Sequence, residues 1–125
     1  MSLQQSEFLA VKKIPGKGRG VVARVDIPKG TVFERAPVLV LQEDEVEDGR
    51  LAHYVYAWGR ATVGLALGYG SLYNHSFQPN ARYDDIGVQT KEFTALVDIA
   101  AGEEITINYN GDPDATDPVG FDLVE

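Results

Sequence analysis

The chain has 125 residues, 44% of them hydrophobic, enough for one core and within the size of a single domain. No cysteine and only two histidines exclude disulfides and thiolate zinc sites and leave too few ligands for a dedicated metal centre, so no metal is expected. A formal net charge of −8 disfavours nucleic acid, whose phosphates are held by clustered Lys and Arg, and suits a basic partner.

In chain order, short segments rich in Val, Ile and aromatics alternate with Gly and Pro, and that combination predicts strands. The first two candidates are Phe8 to Lys13 and Gly20 to Val25, separated by Gly16-Lys17-Gly18-Arg19-Gly20. That glycine run lacks the spacing and the following helix of a dinucleotide fingerprint; a hairpin turn explains it, and it also leaves main-chain groups unshielded for a flat cofactor. Six of the eleven basic residues (Lys12, Lys13, Lys17, Arg19, Arg24, Lys29) fall in the first 30 positions. Thr31 to Arg35 and Pro37 to Leu41 are the next candidate strands. The acidic block that follows (Glu43, Asp44, Glu45, Glu47, Asp48) reads as a solvated loop, or else as a patch that steers a lysine-rich substrate.

Beyond it lie the candidate strand Tyr54 to Trp58 and the stretch Val63 to Tyr73, whose apolar run is broken by Gly64, Gly68 and Gly70 and predicts at most a short helical turn. Tyr73-Asn74-His75-Ser76, followed by Pro79-Asn80-Ala81, sets polar residues between apolar stretches, which marks either an internal hydrogen-bond network or a ligand site. A serine hydrolase is not indicated, because Ser71 and Ser76 lack the Gly-x-Ser-x-Gly context. Ala81 to Asp84, Glu92 to Ala95 and Glu104 to Ile107 complete the strands. Two similar phrases, Asp26-Ile27-Pro28-Lys29-Gly30 and Asp98-Ile99-Ala100-Ala101-Gly102, are read as ordinary glycine turns. Glu103 and Glu104 alternate faces of a strand and make a poor acid/base pair, whereas Tyr109, at the strand end, can present its phenol to a pocket.

Together, Gly18-Arg19-Gly20-Val21-Val22-Ala23, Asn74-His75-Ser76 with Pro79-Asn80, and Gly102-Glu103-Glu104-Ile105-Thr106 closing on Tyr109 resemble the SET-domain family of protein lysine methyltransferases. The resemblance covers roughly residues 8 to 111, and the short length is similar to the minimal stand-alone SET enzymes of bacteria and large DNA viruses. It implies a mainly β fold of the β-clip type, with small sheets, a pseudoknot and short helical turns. The whole chain, 1–125, is then a single SET domain whose residues 112–125 form a short tail in place of the cysteine-rich zinc segment many members carry. The cofactor implied is S-adenosylmethionine, held by Lys17, Gly18, Arg19, Gly20, Asn74 and His75, with Tyr109 as the catalytic residue beside the transferred methyl. Phe121 is the candidate to cover the adenine or the channel. Tyr54 and Tyr56 would wall the channel for the substrate lysine, and Tyr83 would tune how many methyl groups are added.

The implied substrate is a basic protein, histone-like or ribosomal, and a homodimer would supply material the short chain lacks to close its site. No apolar run nears the roughly 20 residues of a membrane span and Met1 to Gln5 carry no signal pattern, so a soluble intracellular protein with no membrane partner is expected. The competing reading is a catalytically inactive SET-like module that binds protein tails, against which stands the retention of Asn74 and Tyr109.

Overall fold

The computed structural model describes residues 6–46, 49–87 and 89–119. Within them the chain forms β1 (Leu9–Ile14), β2 (Gly18–Ala23), β3 (Val32–Gln42), two 3-10 turns (Glu43–Glu45 and Arg50–His53), β4 (Val55–Ala57), β5 (Thr62–Ala66), β6 (Asn74–His75), β7 (Ala81–Ile86), β8 (Thr90–Ala95) and β9 (Glu104–Ile107). The mainly β architecture expected from the alternating pattern is the one observed. Two sheets form, one in the order β1-β2-β9-β6 and one in the order β4-β5-β3-β8-β7.

The β1-β2 hairpin runs in register from Leu9↔Ala23 to Ile14↔Gly18. Its turn is closed by the Lys17 N–H on the Ile14 carbonyl at 3.0 Å, and Gly18 takes φ +77°, a left-handed value that only glycine adopts without strain. Strand β3 serves two neighbours in succession. Residues Val32 to Pro37 pair with β8 and residues Val38 to Gln42 pair with β5, so Pro37, which has no N–H to give, sits where the strand changes partner. The two strands expected here are therefore one, extended through Ala36.

Residues 62–66 overturn the expectation of a helical turn: β5 is a strand between β3 and β4. Its one glycine, Gly64, is needed for closeness rather than for a turn: a Cβ there would meet Val38 Cγ1 at 2.8 Å and the Trp58 ring at 3.1 Å. In the turn that follows β5, a Cβ on Gly70 would meet Ala66 Cβ at 2.6 Å. The core that results is led by Phe33, Tyr73 and Phe93, whose rings meet in edge and tilted contacts with centroids 4.6 to 6.5 Å apart.

The two Asp-Ile phrases are more than separate turns. Ile27 and Ile99 exchange backbone hydrogen bonds at 2.8 and 2.9 Å, the Asp26 carboxylate accepts from the Ala101 N–H at 2.9 Å, and the Asp98 carboxylate accepts from the Lys29 N–H at 2.8 Å. Each aspartate closes the other's turn, while Gly30 and Gly102 occupy equivalent positive-φ positions. Among the described residues no helix is long and apolar enough to cross a membrane, and no group of three or more His, Asp or Glu is placed to hold a metal ion.

Replacing either aspartate strands an N–H of the opposite turn. Asp26→Ala and Asp98→Ala should each lower unfolding free energy by about 1 kcal/mol, measured by urea denaturation. Losses that stay below the error of the measurement in both variants would show that water replaces the carboxylates at no cost.

Candidate functional site

Strand β9 carries the site. On one side it is antiparallel to β2 through Val21↔Ile105 and Val22↔Glu104, and on the other it is parallel to β6 through Asn74↔Thr106 and His75↔Ile107. Asn80 clasps the same strand: its side chain donates to the Glu104 carbonyl at 2.8 Å and accepts from the Thr106 N–H at 2.9 Å. Alternation sends Ile105 and Ile107 into the core and leaves Glu104 and Thr106 on the face toward Asn74 and Asn80.

At the start of β9 a polar cluster forms among three of the sequence candidates. Lys17 Nζ lies 2.8 Å from Glu104 Oε1, while the Asn74 amide donates to Glu104 Oε2 at 2.7 Å and to the Arg19 carbonyl at 3.2 Å. Gly20 admits this packing, because a Cβ there would stand 2.7 Å from Asn74 Nδ2, Glu104 Oε2 and Ile14 Cγ1 alike. Gly18 is the opposite case: nothing lies within 4 Å of where its Cβ would be, so its backbone faces open space. An ammonium, a carboxylate and a carboxamide beside bare backbone are suited to the charged amino-acid end of a ligand. Glu104 was not among the sequence candidates. The signal that could have found it is its position just before the inward Ile105 and Ile107, in the outward phase it shares with Thr106.

At the other end of β9, Tyr109 donates its hydroxyl to the Tyr73 carbonyl at 2.6 Å and keeps 37% of its surface in solvent. Its own N–H donates to His75 Nδ1 at 2.9 Å, which places the histidine hydrogen on Nε2 when the ring is neutral. His75 is 2% exposed and packs between the rings of Phe77 (4.5 Å) and Tyr109 (5.1 Å). Its side chain thus seats Tyr109. Burial, reinforced by the negative charge of Glu104, pushes the Tyr109 phenol up to about 12, so it is protonated throughout the physiological range.

A cavity of about 110 Å³ opens beside this phenol, lined by Tyr54, Tyr56, Tyr73 and Tyr109 together with His53, Val55, Ala57 and Ser71. Both tyrosines named from the sequence reach it, Tyr54 from the end of the second 3-10 turn and Tyr56 from β4. Tyr83 does not line it; its ring packs edge-on to Tyr56 at 5.0 Å and its hydroxyl donates to the Tyr109 carbonyl at 3.1 Å, so it borders the site from behind. Burial and the neighbouring Asp85 charge raise the Tyr83 phenol to about 12. Arg19 contributes its carbonyl to this site. Phe121 lies outside the described residues. Beyond Tyr109 the chain folds back on itself, with Asn108 donating to the Ala115 carbonyl at 2.8 Å and Asn110 to the Asp117 carbonyl at 2.9 Å.

A second group missed in the sequence supports Tyr109 from below. Glu34 is 9% exposed and accepts from the Tyr73 hydroxyl at 2.7 Å and the Tyr69 N–H at 2.8 Å, which fixes the segment whose Tyr73 carbonyl accepts the Tyr109 hydrogen bond. A bulge between Val32 and Glu34 turns two successive residues, Phe33 and Glu34, inward, and simple alternation cannot anticipate that.

The chain matches the family model for the SET domain over residues 18–110. It is 37% identical over 106 residues to a Schizosaccharomyces pombe protein named histone-lysine N-methyltransferase, H3 lysine-37 specific, covering 81% of this chain and 72% of that protein. It is 29% identical over 119 residues to histone-lysine N-methyltransferase SETD7 of Halocynthia roretzi, spanning 82% of this chain and 31% of that longer protein. Among solved structures, that of the Plasmodium falciparum protein PFL0690c superposes with a TM-score of 0.71 at 29% identity, covering 86% of this chain and 95% of the other.

The Glu34 pair makes a pH-dependent prediction. Burial raises the Glu34 pKa and the Tyr73 hydrogen bond offsets part of that rise. A raised carboxyl stabilises the fold only while protonated, so its cost appears as pH climbs through the folded-state value. Tyr73→Phe removes the offset and should cost about 1–2 kcal/mol at pH 7 and less at pH 4, on the protonated side of the raised Glu34 carboxyl. Urea unfolding at the two pH values measures this, and an equal loss at both contradicts it.

Proposed function

The chain belongs to the SET-domain family, and we propose on that premise that it transfers a methyl group from S-adenosylmethionine to the side-chain amine of lysine in a basic protein. The observation that carries this reading is the placement of Tyr109 between two different environments. On one side is the polar Lys17, Glu104 and Asn74 cluster, and on the other a cavity walled by tyrosines.

The residues fit the cofactor in two respects. Lys17, Asn74 and Glu104 offer both signs of charge and an amide to its amino-acid end, and Gly18 leaves its backbone open. Bound there, S-adenosylmethionine would supply an electrophilic methyl group on a sulfonium sulfur. The chain itself supplies position and electrostatics. The tyrosine cavity disfavours a charged ammonium by desolvation, so a lysine entering it gives up its proton more readily than in water. Tyr109, with its phenol held near 12, is not a base at neutral pH; it acts by orientation, its oxygen pinned by the Tyr73 carbonyl and its backbone by His75. The whole chain, 1–125, is read as one such domain, with the segment after Tyr109 standing where larger members carry a zinc-bound one. A net charge of −8 suits basic tails such as those of histones, and such a substrate puts the protein inside the cell.

Calorimetric titration with S-adenosylmethionine, followed by mass spectrometry of histone H3 incubated with enzyme and cofactor, tests the reading directly. Tyr109→Phe should lower kcat by about 100-fold while leaving cofactor affinity within about twofold. Cofactor binding without methyl transfer to any histone or ribosomal protein would move the chain to the class of tail-binding modules.

A further inference from the structure

Lys91 is 1% exposed, and strand alternation points it inward with Phe93 and Ala95. Its ammonium bonds Asp85 Oδ1 at 2.6 Å and lies 4.1 Å from the centroid of the Tyr56 ring, 4.2 Å from that of Tyr83 and 5.4 Å from that of Trp58. A lysine is costly to bury, and burial does lower its pKa, with the Asp85 hydrogen bond opposing the shift. An apolar residue would fill the same space at less cost. The cation is therefore informative about what the two tyrosines need.

We infer that Lys91 is a positioning residue that decides which methylation states of the substrate lysine the channel accepts, by clamping the Tyr56 and Tyr83 rings around a buried ammonium. The inference rests on the reading of Tyr56 and Tyr83 as borders of the lysine channel. An ammonium attracts both ring faces at once, so neither ring swings away without losing that contact. The far ends are tied as well, with the Tyr56 hydroxyl on the Gly70 carbonyl at 2.6 Å and the Tyr83 hydroxyl on the Tyr109 carbonyl. Each ring is thus held at its face and at its tip, and the width left beside Tyr109 follows from the clamp. Asp85 anchors the ammonium from β7, and its side chain is half in solvent.

Lys91→Met keeps an unbranched side chain and removes the charge. Asp85→Asn loosens the anchor from a half-exposed position that folding tolerates. Rates are measured on synthetic histone H3 peptides whose target lysine carries no, one or two methyl groups, alongside near-ultraviolet circular dichroism of the tyrosines and Trp58. In Lys91→Met the rate on the dimethylated peptide relative to the unmodified one should rise by about threefold or more, with a smaller rise in Asp85→Asn and an altered near-ultraviolet spectrum in Lys91→Met. Unchanged relative rates, or an equal fall on all three peptides, would overturn the inference while leaving the methyltransferase reading intact. Absence of transfer by the unaltered protein to these peptides and to every histone and ribosomal protein sinks the methyltransferase reading and the inference with it, and an unchanged near-ultraviolet spectrum in Lys91→Met sinks the clamp whatever the activity.

Discussion

The site depends on a strand of four residues that three other segments compete to hold. β9 is too short to be stable alone, and its position is defined by β2 on one edge and by β6 and the Asn80 side chain on the other. A buried strand must satisfy its backbone polar groups, and here a side-chain amide takes the place of a further strand. Everything chemical is attached to its two ends. Glu104 gathers Lys17 and Asn74 at the start, and Tyr109 follows at the finish, seated by a histidine from β6. The polar cluster and the phenol are thus held in fixed relation by the same short backbone.

Two buried ionisable groups lie near this axis, and they behave differently. Glu34 receives two hydrogen bonds and holds the segment that ends at Tyr73, so its cost is offset by fixing the carbonyl on which Tyr109 rests. Lys91 has one carboxylate partner and otherwise meets aromatic faces. Both lie among core aromatics that hydrocarbon alone could have packed. Polar groups in such places restrict the geometries available more sharply than apolar packing does, because each loses a specific bond when it moves.

Much of this was legible in the sequence, for identifiable reasons. The hairpin of β1 and β2 and the bounds of β9 follow from alternating apolar residues that stop at glycines, and Gly20, Asn74 and Tyr109 stood out through the order of their motifs. β5 was hidden because Gly64, of a residue type that usually punctuates a strand, is required within it by the closeness of Val38 and Trp58. β6 is two residues long, below what any periodicity can register. The Lys17 and Glu104 pair spans 87 positions, and pairing over that distance is a property of the assembled sheets. Lys91 and Glu34 escaped because charged residues are ordinarily read as solvated; only the phase of Phe93 and Ala95 hinted at the first, and the bulge concealed the second.

The crossed aspartates have a bearing on how the molecule assembles. The carboxylate of Asp98 meets a partner 69 positions away and that of Asp26 one 75 positions away, so neither turn is complete until most of the chain has already come together. Contacts of such separation reward the closure of a long loop only after its entropy has been lost, which makes them late arrivals on the folding route and poor nuclei. The clasp works as a latch that stiffens the finished two-sheet body and does little to guide the chain toward it.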